Sequence, residues 1–345
     1  MKFNQLHYLF LCNFGIFFIG TGLLPILPLY GAQFGASPGE IGLYLGNTYV
    51  AITAGTMLTG WLARLLSHRR LLIGTGLLGI PAVALLGQAT AFWQVVALTA
   101  LVWFLGGIGL TLASILTGQY SADQKQGRSF GLLYLAYPAA MLLSGALVGF
   151  LVEWQGYGLM FAVISLAWAL YPIAAYLRPG DVRSDRPATP AAKQAATPVT
   201  STRTFYGLLL VTFLLQSVAY GSRMGITLSM TSLSFSASAI SSTSMVVGLF
   251  SILFGLAVSA WSDRAGRKLF LLVGTLGAVF GALLLLGGTR LWHFWLATGL
   301  LSAGQMATGA AIPALVTGLL KPEVLNDGLT RLSAINRVAG IVGFV

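Results

Sequence analysis

The charged residues of this chain fall in short clusters, and the stretches between the clusters are long enough to cross a lipid bilayer. Tyr8 to Gly39, Ile41 to Ala63 and Phe130 to Val152 contain no Asp, Glu, Lys or Arg, and a membrane-crossing helix needs about 20 apolar residues. Only 8% of the 345 residues are charged while 57% are hydrophobic, and mean hydropathy is +0.84. A backbone in lipid must satisfy its own hydrogen bonds, so such runs predict helices. The expectation is an all-α polytopic membrane protein with spans near 7–30, 41–62, 71–89, 93–118, 129–152, 156–177, 204–228, 239–261, 269–289 and 292–318. An eleventh begins near Leu329 and is still running at Val345.

If every run crosses, the basic residues sort by side. Lys2, Arg64, Arg69, Arg70, Lys125, Arg128, Arg178, Arg183, Arg186, Lys193, Arg203, Arg264, Arg267, Lys268, Lys321 and Arg331 share one face, whereas Arg290 alone of the Lys/Arg set falls on the other and Arg223 and Arg337 lie within spans. Lys and Arg are retained on the cytoplasmic side, which puts the N-terminus there. The expected location is a plasma membrane, in particular a bacterial inner membrane, crossed many times. The net charge of +11 reflects this asymmetry and not a nucleic-acid partner. The apolar start continues past Leu29 with a single basic residue, Lys2, so a retained first span is expected and not a cleaved leader. One cysteine, Cys12, and the scattered His7, His68 and His293 offer neither a disulfide nor a metal-ligand cluster. With no Walker sequence or nucleophile constellation, an enzyme is disfavoured, and neither a catalytic residue nor a cofactor is expected.

Residues 178–203 break the pattern. Pro179, Pro187, Pro190 and Pro198 stand among Ala, Thr, Asp and Arg, a composition that reads as a flexible cytoplasmic linker. The domain expectation is an N-terminal six-helix bundle over 1–177, the linker over 178–203, and a C-terminal bundle over 204–345 holding helices 7–10 and part of 11. The second bundle repeats the first. Leu71 to Thr75 match Leu271 to Thr275, Leu116 to Gly118 match Val316 to Gly318, and Gly109 matches Gly309, all at one spacing, with Gly60 to Arg69 lying over Ser259 to Lys268 after a one-residue slip. Parallel six-helix halves are an architecture of secondary transporters.

Within that repeat, Ser259-Ala-Trp-Ser-Asp263-Arg264-Ala-Gly266-Arg267-Lys268 resembles the G-x-x-x-D-R-x-G-R-R/K loop of the major facilitator superfamily. Gly20 to Pro28 resembles the opening helix of that family's drug and metabolite efflux branch, the drug:proton antiporters. The resemblance covers essentially the whole chain. It implies a 6+6 helix architecture, here ending within helix 11, and alternating-access transport of a small organic solute, drug-like or metabolite, with an anionic solute among the candidates and export preferred. Departures weaken proton coupling: Trp103-Phe-Leu-Gly106-Gly107-Ile-Gly109 keeps the glycines of the antiporter R-x-x-x-G-x-G pattern without its arginine, and Arg64 stands where the first-half loop has Asp. No carboxylate falls near the expected membrane midplane. A uniporter or exchanger, an uptake permease for a polar metabolite and a non-transporting receptor or scaffold stay open beside proton-coupled export. The expected partners are the solute and membrane lipids, with the protein working as a monomer.

The candidate solute residues follow from spacing and resemblance together. Gln216, Tyr220, Arg223 and Thr227 recur on one face of span seven, and an arginine inside a span faces protein or a water-filled cavity, snorkels to the interface, or joins a structural pair. Asn13, Phe17 and Thr21 share a face of span one. The resemblance places spans one, four, seven and ten on a central cavity, which nominates Asn13, Phe17, Trp103, Gln216, Tyr220, Arg223 and Gln305, with Tyr134 and Tyr137 as further aromatic lining. For gating it nominates Arg64, Arg69, Asp123, Arg128, Asp263, Arg264, Gly266, Arg267, Lys268 and Arg337, with Asp263 set against the inner end of span five near Arg128.

Overall fold

The structure, a computed structural model, describes residues 3–120, 129, 132–177, 203–265, 267–319 and 322–345. The all-α polytopic expectation holds. Among the described residues, six helical stretches are long and apolar enough to cross a membrane, including Leu132–Leu177, which contains two passes.

The first crossing is bent. Helix α1 (Phe3–Leu23) ends before Pro25, and α2 (Leu27–Ala32) restarts with Pro28 in its first turn. Proline lacks the amide that a continuing helix would use but is tolerated where a helix begins, so the single span expected over 7–30 is two helices. Helix α3 (Pro38–Leu65) is started by Ser37, whose hydroxyl accepts from the Glu40 amide while the Ser37 amide donates to Glu40 Oε2 at 2.8 Å. These bonds from the Ser37 amide and hydroxyl hold the exposed Glu40 carboxyl below its ordinary pKa. Helices α4 (His68–Leu86) and α5 (Phe92–Tyr120) follow. Crossings five and six lie in α6 (Ala136–Trp168), broken at Gln155 and at Gly156, whose φ of 77° is open to glycine. The short α7 (Leu170–Leu177) completes the sixth.

After the linker region, which lies outside the described residues, come α8 (Arg203–Ser232), α9 (Ala237–Ala265), α10 (Arg267–Leu285), α11 (Leu291–Leu319) and α12 (Pro322–Phe344). The last helix begins at Pro322 and not near Leu329. Proline suits a first helical position, and the charges Glu323, Asp327 and Arg331 hide its opening turns from a hydropathy reading.

Two compact units emerge, one of Met1–Asp181 with Met224–Leu249, the other of Val182–Arg223 with Phe250–Val345. In the first, Trp168 fills the place a side chain on Gly79 would take and donates from Nε1 to the Gly76 carbonyl at 2.9 Å. Tyr171, one turn on, packs against Gly15 and Gly109 and shares a 2.7 Å hydrogen bond with Thr75. Glycine permits this close approach, and the buried indole and phenol each find a partner. In the second, Phe205, Leu209, Ile312, Val316 and Leu332 form a core cluster, Gly304 lies against Ala278, and Gly343 lies against the Ser217 carbonyl.

Candidate functional site

Three polar side chains meet inside the second unit. Arg223 Nη2 donates to Gln305 Oε1 at 2.7 Å, and Gln305 Nε2 donates onward to Gln216 Oε1 at 3.3 Å. The Arg223 guanidinium also lies 5.5 Å from the Tyr220 ring centroid, and that ring packs on Phe344 at 5.6 Å. Helical spacing brings this about: Gln216, Tyr220 and Arg223 occupy one face of α8, with Gln305 on α11 and Phe344 on α12 closing over it. Ser217 Oγ donates to the Ala339 carbonyl at 3.4 Å, and Gly221 and Gly343 let α8 and α12 approach closely.

The physical cost of this arrangement is informative. Gln216 is only 7% exposed, and a buried amide is costly unless hydrogen-bonded. The bonds run from donor to acceptor away from a cation, and a guanidinium presents five N–H donors in a planar fork suited to carboxylates and phosphates. Arg223 is therefore engaged with protein and not extended toward the surface as a lone snorkelling side chain.

The other nominated cavity residues lie in the first unit. Asn13 is 4% exposed and its Oδ1 has no hydrogen-bond partner. Phe17 meets Tyr137 edge to face at 5.3 Å, and Trp103 is buried on α5. Tyr134 is 66% exposed. Thr227 is buried on the part of α8 that belongs to the first unit.

Of the gating residues, Arg69 donates from Nη2 to the Tyr176 carbonyl at 2.6 Å and lies 5.7 Å from the Tyr176 ring, tying the start of α4 to the end of α7. A cation at a helix C-terminus is favoured by the exposed carbonyls there. Arg64 is exposed in the last turn of α3, and Arg337 is half-buried on α12. Asp123, Arg128 and Gly266 lie outside the described residues, as do the side chains of Asp263, Arg264, Arg267 and Lys268.

What spacing along one helix left unpaired was Gln305, 82 residues from Arg223. The internal repeat carries a usable signal. Gln216 and Arg223 fall where the first half has Ile16 and Leu23, both buried and apolar, so polarity has entered positions that the duplicated fold can fill with hydrocarbon.

Comparison with known proteins agrees with this architecture. The sequence profile described as the Major Facilitator Superfamily matches residues 9–344. A Lactococcus lactis protein described as a multi-drug resistance efflux pump PmrA homolog is 24% identical over 362 residues, covering 99% of this chain and 86% of that protein. Among solved structures, a peptide transporter POT in complex with sulfate superposes with a TM-score of 0.78 at 16% identity, covering 99% of this chain and 87% of that one. A bacterial homolog of the human lysosomal transporter Spinster, inward-facing and unoccupied, gives 0.75 at 15% identity, with 99% and 81% covered.

Proposed function

The chain belongs to the major facilitator superfamily, and from that premise, which makes it a multi-pass membrane transporter of small molecules and not an enzyme, we propose that it exports an amphipathic organic anion. The observation that carries this reading is the Arg223–Gln305–Gln216 network, a donor-rich polar cluster between α8 and α11. Tyr220 and Phe344 beside it supply aromatic surface for the apolar part of such a solute. The export direction is supported by the description of the Lactococcus relative as an efflux pump. Arg223 and Gln305 hold the anionic group, Gln216 orients Gln305, and alternating access carries the solute across without covalent chemistry.

In this reading the N-terminus and the basic loops face the cytosol, the segment around 178–203 joins two bundles, and the protein works as a monomer. The inner face carries the gate. Asp263, with Arg264, Gly266, Arg267 and Lys268, latches it together with Arg64, Asp123, Arg128 and Arg337, while Arg69 fixes the end of the sixth crossing. Asn13, Phe17 and Trp103 are assigned to the solute path of the first unit.

The test is a flux screen in proteoliposomes with a panel of organic anions and lipophilic cations, the internal and external pH being set independently. Arg223→Gln should cut anion flux by about tenfold, the magnitude of one lost charge-assisted bond, and leave cation flux unchanged. Unchanged anion kinetics in that variant would remove Arg223 from the site. A response to an imposed pH gradient assigns proton coupling, and flux that ignores the gradient assigns uniport or exchange.

A further inference from the structure

The fourth and tenth crossings open on the same short phrase. Thr90-Ala-Phe-Trp93-Gln94 leads into α5 and Thr289-Arg-Leu-Trp292-His293 into α11, and in each the third helical residue reaches back over the turn before it. Gln94 Oε1 accepts from the Thr90 amide at 2.7 Å and from the Thr90 hydroxyl at 3.3 Å. His293 Nδ1 accepts from the Thr289 amide at 3.1 Å and from the Arg290 amide at 3.2 Å. A third-position side chain that takes up backbone amides at a helix start is one half of a capping box, and Gln is one of its usual bearers.

An imidazole in place of an amide changes what the cap responds to. The glutamine carbonyl keeps its lone pairs at every pH of interest, whereas Nδ1 accepts two N–H groups only while it carries no proton, the ring hydrogen being on Nε2. A protonated ring has N–H at both nitrogens and would aim one of them at the two backbone donors, so the proton and the cap compete for a single lone pair. The surroundings offer an imidazolium no anion. Helix α10, the joining turn and α11 contain no carboxylate, and the charge beside His293 is the cation Arg290. The Trp292 ring lies 3.9 Å from the imidazole, and a side chain on Gly288 would sit 3.6 Å from the His293 Cβ. Among the described residues of this unit the other charges stand elsewhere. Asp263 and Arg264 close α9, Arg267 and Lys268 open α10 at its far end, and Arg223 is held by Gln305. Phe205 and Leu332 pack on Ile312 and Val316 near the far end of α11, which places Arg203, Glu323, Asp327 and Arg331 there, with Arg337 little more than a turn further along α12.

We propose that His293 is an acid-released clamp on the turn between crossings nine and ten, set where the first half carries the proton-indifferent Gln94. Unprotonated, the ring fixes the start of α11, and protonation frees the turn and frays the first helical residues. The sign follows from linkage: the frayed form takes the proton and the capped form excludes it, so the clamp's contribution is full at high pH and is lost as pH falls through the range in which imidazoles titrate. Helix α10 lies between this turn and the loop at Asp263, so in the orientation proposed above the clamp is on the outer side and responds to external acid. Because α11 also carries Gln305, loosening its start reaches the helix that holds the polar network. That link to transport rests on the solute reading of Gln305, whereas the clamp itself does not.

Amide hydrogen exchange in the full chain, held in lipid nanodiscs, reads the clamp without any solute, each rate being divided by the intrinsic rate of the unprotected sequence at the same pH. Protection of the Thr289 and Arg290 amides in the wild type should fall by about fivefold to tenfold between about pH 8 and pH 5, as expected for the hydrogen bonds lost, while Thr90 keeps its protection throughout. His293→Gln should be protected at both ends of that range and His293→Ala at neither. Gln94→His should confer the same acid sensitivity on Thr90. Wild-type protection that survives acid, or a loss in His293→Gln equal to that of the wild type, would overturn the clamp. Acid-sensitive protection in the wild type that His293→Gln abolishes would establish it, whatever the flux screen returns for Arg223→Gln.

Discussion

The two units place different chemistry at equivalent positions of the repeat. Trp168 and Tyr171 press onto Gly79, Gly15 and Gly109, so the surfaces of α1, α4 and α5 are covered by the sixth crossing. In the second unit α8, α10 and α11 border an apolar groove of about 330 Å³, lined by Leu215, Ala219, Val279, Leu283 and Gly304, with Gln305 at its edge. Polarity divides the equivalent positions of α1 and α8: Ile16 and Leu23 are buried in one unit, while Gln216 and Arg223 join a hydrogen-bonded network in the other. One duplicated pattern has therefore yielded a half whose buried positions serve packing and a half that accepts an energetic penalty to keep a cation inside.

The sharpest way to break this contrast is to remove the seal. Trp168→Ala deletes a buried indole and its bond to Gly76, and should destabilise the protein by about 3 to 5 kcal/mol, read as a large fall in Tm in detergent. Val279→Ala, exposed on α10, should cost less than about 1 kcal/mol. Equal losses would mean that Trp168 contributes no more than a surface side chain.

Restoring hydrocarbon to the second unit tests the polar half. The double change Gln216→Ile with Arg223→Leu puts the first-half residues into α8, and should leave Tm unchanged or higher while lowering organic-anion affinity by about tenfold or more. A drop in both would make the network a structural device and not a solute site. Gln305→Leu alone should weaken binding less than Arg223→Leu does, since the cation is retained, and equilibrium binding of an anionic fluorophore would rank the two.

A smaller effect is expected from pH. Glu153 stands at the junction between crossings five and six, and the Ser238 amide, followed by the Ser236 and Ser238 hydroxyls, holds its carboxyl below the ordinary range against the opposing influence of burial. The bound carboxyl has the lower pKa, so its contribution to stability is present above the free carboxylate pKa and is lost as pH falls through the bound value. The difference in Tm between the wild type and Glu153→Gln should thus be flat from about pH 8 to 6 and shrink only in stronger acid. A change near neutrality would assign the response to another group. Smallest of all, Ser37→Ala should cost about 1 kcal/mol by removing the cap of α3, measurable as a modest Tm shift.

Much of this was legible before any coordinates. The crossings could be placed because lipid forbids charge and forces helices, and the break after crossing five was expected between 152 and 156. The split of the first crossing was less visible, because Pro25 and Pro28 lie within a run whose hydropathy never falls. The opening of α12 was missed for the opposite reason, its first turns being charged. Of the candidate site, Gln216, Tyr220 and Arg223 could be grouped because helical spacing is local, whereas their link to Gln305 depends on how α8 meets α11. In the sequence Glu153 is simply an acid between spans five and six. Its role depends on an amide from another helix, and backbone donors leave no mark in a sequence.

The single-glycine corner at Gly156 has a mechanical corollary. With so little chain between them, crossings five and six form a stiff hairpin whose far arm is bolted by Trp168 and Tyr171 to three other helices. That arm is thereby tied to α1, α4 and α5, and a displacement of either end of the hairpin must carry those three helices with it.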